Sequence, residues 1–412
     1  MTSTTLSPVS GNERLDNLDV LRGLALLGIA LMNVEYFTAP LVDMSSGIDA
    51  GQGGVHWLAD AFVHVFVSGK FWTLFSMLFG MGFAVMLQRA QAAGRPFVPV
   101  YLRRTAGLLA FGLMHAWLIW AGDILVSYAL GAIVLLLLFR NTPVSRLWKW
   151  GAGIWAVLLG MMLLGVALMG LAATMDPEAA GPAQLAGGEA MRAAEIAAYT
   201  GGSYAEAVAV RIRFFTMMLG NNLFLVPLVV GMFLVGAWLV RSGAMAAVDA
   251  HRALFVRMAW IAGLGGALLT ALSLMVEVDP APGTDATAAD MLALSLHMLG
   301  SPLMSLAYLS IVVLALQRGV RWLRLVAPAG RMALTNYLLQ SVVGTLVFYG
   351  YGLGMWGEVA RGWQVLGVVL FFIVQVLLSR WWLARFSQGP LEWLWRGFTY
   401  LRFERPGRTA AA

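Results

Sequence analysis

An all-α, polytopic bundle of about ten transmembrane helices, with both termini cytoplasmic and amphipathic helices at the interface, is the fold this sequence predicts. Composition is the first ground: 60% of the 412 residues are hydrophobic and 12% are charged, against ~25% charge in a typical soluble chain. Too little polar surface remains to coat a water-soluble globule, so the solvent must be lipid. Length is the second: ten apolar runs of roughly 16–27 residues suit a hydrocarbon core of ~30 Å at 1.5 Å per helical residue. A backbone in lipid must satisfy its own hydrogen bonds, which makes every crossing a helix.

The runs are 20–39, 70–88, 105–121, 124–139, 150–173, 214–240, 255–276, 291–316, 332–354 and 363–383. Taken as consecutive crossings, they place Arg14, Arg22 and five further basic clusters on one side, beginning at Arg89, Arg140, Arg241, Arg318 and Arg380. Of the 27 lysines and arginines, Lys70, Arg192, Arg211, Arg213 and Arg361 fall on the other side. That side also holds Asp176, Glu178, Glu189, Glu195, Glu277, Asp279, Asp285 and Glu358. Such alternation is what the positive-inside rule demands, and one mistaken crossing would invert every later loop. The net charge of +6 therefore faces anionic lipid, and nucleic acid is not an expected partner. The expected location is a membrane whose cytoplasmic face carries the basic clusters. Cysteine is absent, which removes disulfides, thiolate metal ligands and thiol nucleophiles.

Residues 1–13 read as a disordered tail without the order of a cleavable signal, 14–388 as one transmembrane domain, and 389–412 as a cytoplasmic interfacial helix and tail. The connection 174–210 is the main extracytoplasmic excursion, with a helix expected at 189–199. Pro390 starts the last helix, on which Leu391, Leu394, Trp395 and Phe398 share a face. No repeat of fixed period is visible, which argues against an inverted-repeat transporter. A homo-oligomer is compatible with all of this.

Polar groups inside apolar runs are costly and mark functional candidates. There are four such places. In the first run, Arg22 lies near the cytoplasmic end and Asn33 about 16 Å further up. Arg22 is either a bidentate phosphate donor or a snorkelling anchor paired with Asp19 at i−3; Asn33 is a site amide or an interhelical hydrogen bond. Next, His56, Asp60 and His64 follow one another at i, i+4 and i+8 on one helix face. They suit proton transfer, a metal, or simply the wet side of an amphipathic helix. Lys70 adds an anion partner nearby. In the third place, His115 lies mid-membrane near Trp117 and Trp120, with Asp123 at the outer turn. The pair is a general base with its orienting carboxylate, or His115 is a neutral core histidine. Direct contact requires the chain to turn at Gly122. Last, Arg331 precedes Asn336 and Gln340, i and i+4 neighbours that either line a polar route or glue two helices.

Several of these stretches resemble a family. Asp19 to Asn33, Lys70-Phe71 with Leu74 to Gly80, His115 with Gly122 to Leu125, Gly330 to Ser341, Phe348 to Gly350 and Gly389 to Arg396 together are similar to the bacterial YeiB-like membrane proteins. Arg22-Gly23 to Asn33 also resembles the heparan-α-glucosaminide N-acetyltransferases, which pass acetyl from cytosolic acetyl-CoA to an amino sugar across a membrane. That resemblance implies a site role for Asn33, while the transferase histidine has its loose counterpart in His56 ahead of Asp60. His115 belongs to the YeiB-like pattern, and either histidine is a candidate base.

The expected function is acyl transfer from cytosolic acyl-CoA, most simply acetyl-CoA, to a sugar or amine at the outer face. Arg22 and Arg331 would meet the CoA phosphates, and Asn336 and Gln340 the pantetheine. Asn33 would hold the oxyanion, and His115 with Asp123, or His56 with Asp60, would supply the base. No metal is required. The alternative is a transporter or lipid flippase with His115 as proton relay.

Overall fold

The computed structural model describes residues 16–43, 47–49, 51–175, 182–276 and 287–403. The expected tail 1–13 lies outside them, as do Arg14, Asp176, Glu178, Glu277, Asp279, Asp285, Arg405 and Arg408. The described residues contain helices and turns and no strand. The chain is an all-α membrane bundle.

Helix α1 (Asp16–Asn33) ends where the first apolar run was expected to continue, and the chain there turns through Glu35–Phe37 and Leu41–Asp43. Then come α2 (Gly54–Phe66), α3 (Lys70–Ala92) and α4 (Val98–Met114), which a π turn, His115–Ile119, extends. After α5 (Leu125–Val134) and its own π turn follow α6 (Val144–Met175), α7 (Pro182–Thr200) and α8 (Tyr204–Met217). Next are α9 (Asn222–Arg241), α10 (Arg252–Arg257), α11 (Gly263–Val276) and α12 (Ala288–Gln317). The last are α13 (Ala327–Arg331), α14 (Ala333–Phe348), α15 (Arg361–Leu383) and α16 (Pro390–Tyr400).

Each of the ten apolar runs is thus helical over most of its length, those at 20–39, 105–121 and 332–354 leaving helix before their ends. Six helical stretches among the described residues are long and apolar enough to cross a membrane: Gly54–Ala92, Val144–Ala172, Tyr204–Arg241, Arg252–Val276, Ala288–Gln317 and Arg361–Leu383. Shorter apolar helices fill Leu125–Phe139 and Ala333–Phe348.

Small residues set the centre. A Cβ on Gly80 would strike the Phe233 carbonyl, and one on Gly236 the Met77 carbonyl, so α3 and α9 touch backbone to backbone. Gly330 of α13 meets the Asp19 carbonyl of α1 in the same way. The outward faces of α6 and α11 keep Val157, Leu164, Leu264 and Leu268 exposed, as lipid contact requires.

The 174–210 connection is mostly helix. Helix α7 begins at Pro182, earlier than the expected 189, because Ala, Gln and Leu carry the helix forward of Gly187 and Gly188. Its Glu195 is fully buried. Burial pushes this carboxyl up from 4.5 to about 7, the Leu41 and Val42 amides oppose that, and Asp43 adds to it. A folded-state value above the unfolded one gives stability that is complete below about 4.5 and lost as pH rises through 7. We expect Glu195→Gln to melt above the wild type at pH 8, by about 3 kcal/mol in stability, and level with it at pH 5. Parallel melting curves across that range would refute this.

Helix α16 starts at Pro390 as expected and stitches two other helices together. Glu392 caps α14, accepting from Leu334 N at 2.7 Å, Thr335 N at 3.0 Å and Thr335 Oγ1 at 2.6 Å. Burial raises its carboxyl, and these bonds partly offset that. Trp395 Nε1 donates to the Arg104 carbonyl at 2.7 Å, with the Arg104 guanidinium 3.8 Å from the ring centre. Leu394 and Phe398 stay exposed.

Candidate functional site

A cavity of about 940 Å³ opens at the end of the bundle that the arginine pattern puts outside. The C-terminal end of α1 and its following turn, α2, the α4–α5 turn, the α8–α9 junction and the first half of α12 wall it. Among its linings are Asn33, Glu35, Asp60, His64, Asp123 and His297, with Trp72, Trp120 and Tyr337 as aromatic wall.

Behind one wall lies the His115–Asp123 pair. The π turn at 115–119 widens the end of α4, and extended backbone at Trp120 (φ −159°) then folds the chain back. The reversal so starts before Gly122, whose Cβ would strike the Trp120 ring. This brings His115 Nδ1 to 2.8 Å from Asp123 Oδ1, with both side chains fully buried. Asp123 Oδ2 accepts from Val126 N at 2.8 Å, which fixes the carboxylate at the start of α5. An ionised Asp123 calls for the Nδ1–H tautomer, leaving Nε2 as the basic lone pair. Nε2 has no hydrogen-bond partner, nor has the Tyr337 hydroxyl, and the two rings lie 5.1 Å apart. His115 itself does not line the cavity; Asp123 and Tyr337 do.

The other histidine pairing does not form. His56 Nδ1 accepts from Gly362 N at 3.2 Å, while Asp60 is bound by Arg361 Nε and Asp49 N, each at 2.9 Å. The reason is α15, whose first residue, Arg361, enters between α2 and α1 only 2% exposed. Arg361 also binds Glu35 Oε2 at 2.9 Å and Gln364 Oε1 at 3.1 Å. Burial raises the Glu35 carboxyl, Arg361 opposing it and Asp60 and Asp49 adding to it. The polar stripe of α2 thus faces the bundle, and Leu58, Phe62 and Phe66 face outward.

Four of the five expected cofactor residues, Arg22, Arg331, Asn336 and Gln340, lie apart from this cavity. Arg22 Nη1 pairs with Asp19 Oδ1 at 2.9 Å, the anchor geometry. Arg331 Nη2 reaches the Ser387 carbonyl at 3.4 Å. Asn336 donates to Ala329 O at 3.1 Å and Ser379 Oγ at 2.9 Å. Gln340 donates to Gln375 at 2.9 Å, and Gln375 in turn to Asn336 O at 3.0 Å. These amides join α14 to α13 and α15, and they line no part of the cavity. Asn33 does line it, 8% exposed.

Sequence reasoning missed Glu35, Arg361, Asp290 and His297. Arg361 carried a signal: it is one of the five basic residues outside the cytoplasmic clusters. Three of those five, Lys70, Arg211 and Arg361, prove fully buried or nearly so. Arg211 donates to Leu118 O at 2.7 Å and Tyr351 Oη at 2.6 Å, within 6 Å of four tyrosine rings. It ties α8 to the α4–α5 turn and the segment after α14.

Fold and cavity together define a multi-pass helical membrane protein with a largely apolar chamber at one end into which a few ionisable groups project. The chain belongs to the YeiB-like family of bacterial membrane proteins. It is 34% identical to the uncharacterized protein YxaH of Bacillus subtilis (strain 168) over 97% of this chain and 98% of that one. To the uncharacterized protein YeiB of Escherichia coli (strain K12) it is 31% identical, over 94% and 96%. A 39.9 kDa protein from the amylase 3′ region of Bacillus acidopullulyticus is 25% identical over 96% and 97%. A family profile described as a protein of unknown function (DUF418) matches residues 239–402. No solved structure matches.

Proposed function

We propose that the protein is an inner-membrane acyltransferase that passes an acyl group from cytosolic acyl-CoA to a hydroxyl or amine held in the outer cavity. The depth of that cavity is the supporting observation. Its wall includes Tyr337, four residues into α14 and so about 6 Å of helical rise from the end bearing Arg318 to Arg331. A thioester arm from the cytosol has a short distance to cover before it meets an acceptor from outside.

In this reading the acceptor oxygen or nitrogen attacks the thioester carbonyl and its proton passes to His115 Nε2 through the Tyr337 hydroxyl, which has to close on Nε2 first because the two are not hydrogen-bonded. Asn33 holds the oxyanion. Collapse breaks the carbon–sulfur bond, and the departing CoA thiolate recovers the proton from His115. Asp123 steadies the imidazolium. Arg22 and Arg331 face the nucleotide phosphates, Arg22 exchanging Asp19 for phosphate. Asn336 and Gln340 have no part in it, because their amides are spent between helices.

Inside-out vesicles supplied with acetyl-CoA should release free CoA thiol and acetylate an acceptor, in proportion to the protein present. No release above vesicles lacking the protein would end this reading. Pro227 and Pro302, both inside helices that wall the cavity, favour transport as the second reading. Solute flux without thiol release would select it.

A further inference from the structure

Lys70, in the first turn of α3, has no exposed surface, and no ion pair among the described residues includes it. Its Nζ donates to the His64 carbonyl at 3.1 Å and lies 3.4 Å from His297 Nε2. Neither a carbonyl nor an imidazole carries the negative charge that would neutralise an ammonium. An ammonium taken out of water costs several kcal/mol unless an opposite charge compensates it.

The surroundings are ordered for a visitor. The His64 and His297 rings lie 4.7 Å apart. Gly69, at φ +79°, turns the chain so that the Ser68 carbonyl comes 3.1 Å from His297 Nε2. A side chain at Gly69 would strike Ser301. His64, Ser68, Gly69 and His297 line the cavity, with Lys70 directly behind them. His297 is 8% exposed and its Nδ1 has no partner.

The carboxylates near this corner do not reach Lys70: no ion pair joins it to Asp60 or to Asp290, whose Oδ1 has no partner. Asp60, one turn before His64 on α2, is held by Arg361 and the Asp49 amide. Asp290, seven residues before His297 or about 10 Å of helix, spends Oδ2 on the Thr287 N-cap. On α12 the remaining neighbours, Ser301 and Ser305, carry no charge; Ser305 bonds the Lys70 carbonyl.

We infer that this corner of the cavity is a binding subsite for a small oxyanion, a carboxylate or phosphate group of the cavity's ligand. The anion supplies the countercharge that Lys70 lacks. His297 changes roles on binding: its Nε2 accepts from Lys70, and its Nδ1–H donates to the ligand. The alternative Nε2–H tautomer bonds the Ser68 carbonyl at 3.1 Å. The subsite serves a transferase or a transporter equally, so it stands apart from the catalytic proposal.

Purified protein would be melted in acetate, in inorganic phosphate and in chloride at one ionic strength. Phosphate stabilises many proteins by exclusion, so the response is read against variants. Acetate, phosphate or both should raise the wild-type melting temperature, and the stronger of the two identifies the oxyanion. His297→Gln should raise the half-saturating concentration at least tenfold. Lys70→Met should melt at or above the wild type in chloride and show no oxyanion response. A wild type indifferent to all three salts, or a His297→Gln variant that responds like the wild type, would overturn the assignment. Should Lys70→Met fail to fold, the His297→Gln titration alone decides.

Discussion

Arg361→Gln is expected to destabilise the protein by about 3–5 kcal/mol, the cost of leaving buried carboxylates without their cation. One guanidinium holds Asp60 at 2.9 Å and Glu35 at 2.9 Å, from two other segments of the chain. Asp60 is nearly fully buried, whereas the Glu35 side chain is 29% exposed. Asp60 should therefore account for most of the loss. Acid should lessen it, because protonation removes the uncompensated charge that the variant leaves behind. The double variant Arg361→Gln/Asp60→Asn should recover a large part, and a thermodynamic cycle over the four proteins measures the coupling. Additive losses, or a deficit that does not depend on pH, would show that Arg361 acts through packing alone.

The same ion cluster shows where the sequence was legible. Ten apolar runs and the arginine alternation were enough for an all-α bundle, because lipid leaves the backbone no other choice. Runs that stop at a turn are harder to place. The first one looked continuous to residue 39, yet α1 ends at Asn33 and Glu35 turns inward toward Arg361. Nothing local announces this, since the partner lies 326 residues away. Asp60 suffers from the same distance. Helical spacing sets it on the face of His56, but spacing within one helix says nothing of the arginine arriving from α15.

Asn336 and Gln340 show the opposite limit. Their i, i+4 spacing makes one face, but a polar stripe serves a cavity and an interhelical seam equally well. Only the position of Gln375 and Ser379 on α15 decides between them. The His115–Asp123 contact requires the chain to reverse between them. That condition is met by a π turn and an extended Trp120, a device that no residue pattern specifies.

His115→Ala is expected to lower acyl transfer by about 10²–10⁴-fold, the usual range for loss of a positioned base, while acyl-CoA binding is kept. Asp123→Asn should act through the same group. An amide in place of the carboxylate no longer demands the Nδ1–H tautomer, so a fraction of the molecules would present Nε2–H where a lone pair is needed. Its signature is a fall in kcat with KM for acyl-CoA unchanged. A purely structural pair would instead lower the melting temperature of both variants and leave the rate per folded molecule intact. Tyr337→Phe separates relay from packing, because it keeps the ring against His115 and deletes only the hydroxyl. If Tyr337→Phe retains full rate while His115→Ala does not, the proton reaches Nε2 without the phenol. His56→Ala is the control: its imidazole meets Gly362 at the rim, away from Asp60, and the rate should persist. A transferase silenced by His56→Ala and untouched by His115→Ala would move the chemistry to the rim and leave the buried dyad a structural brace.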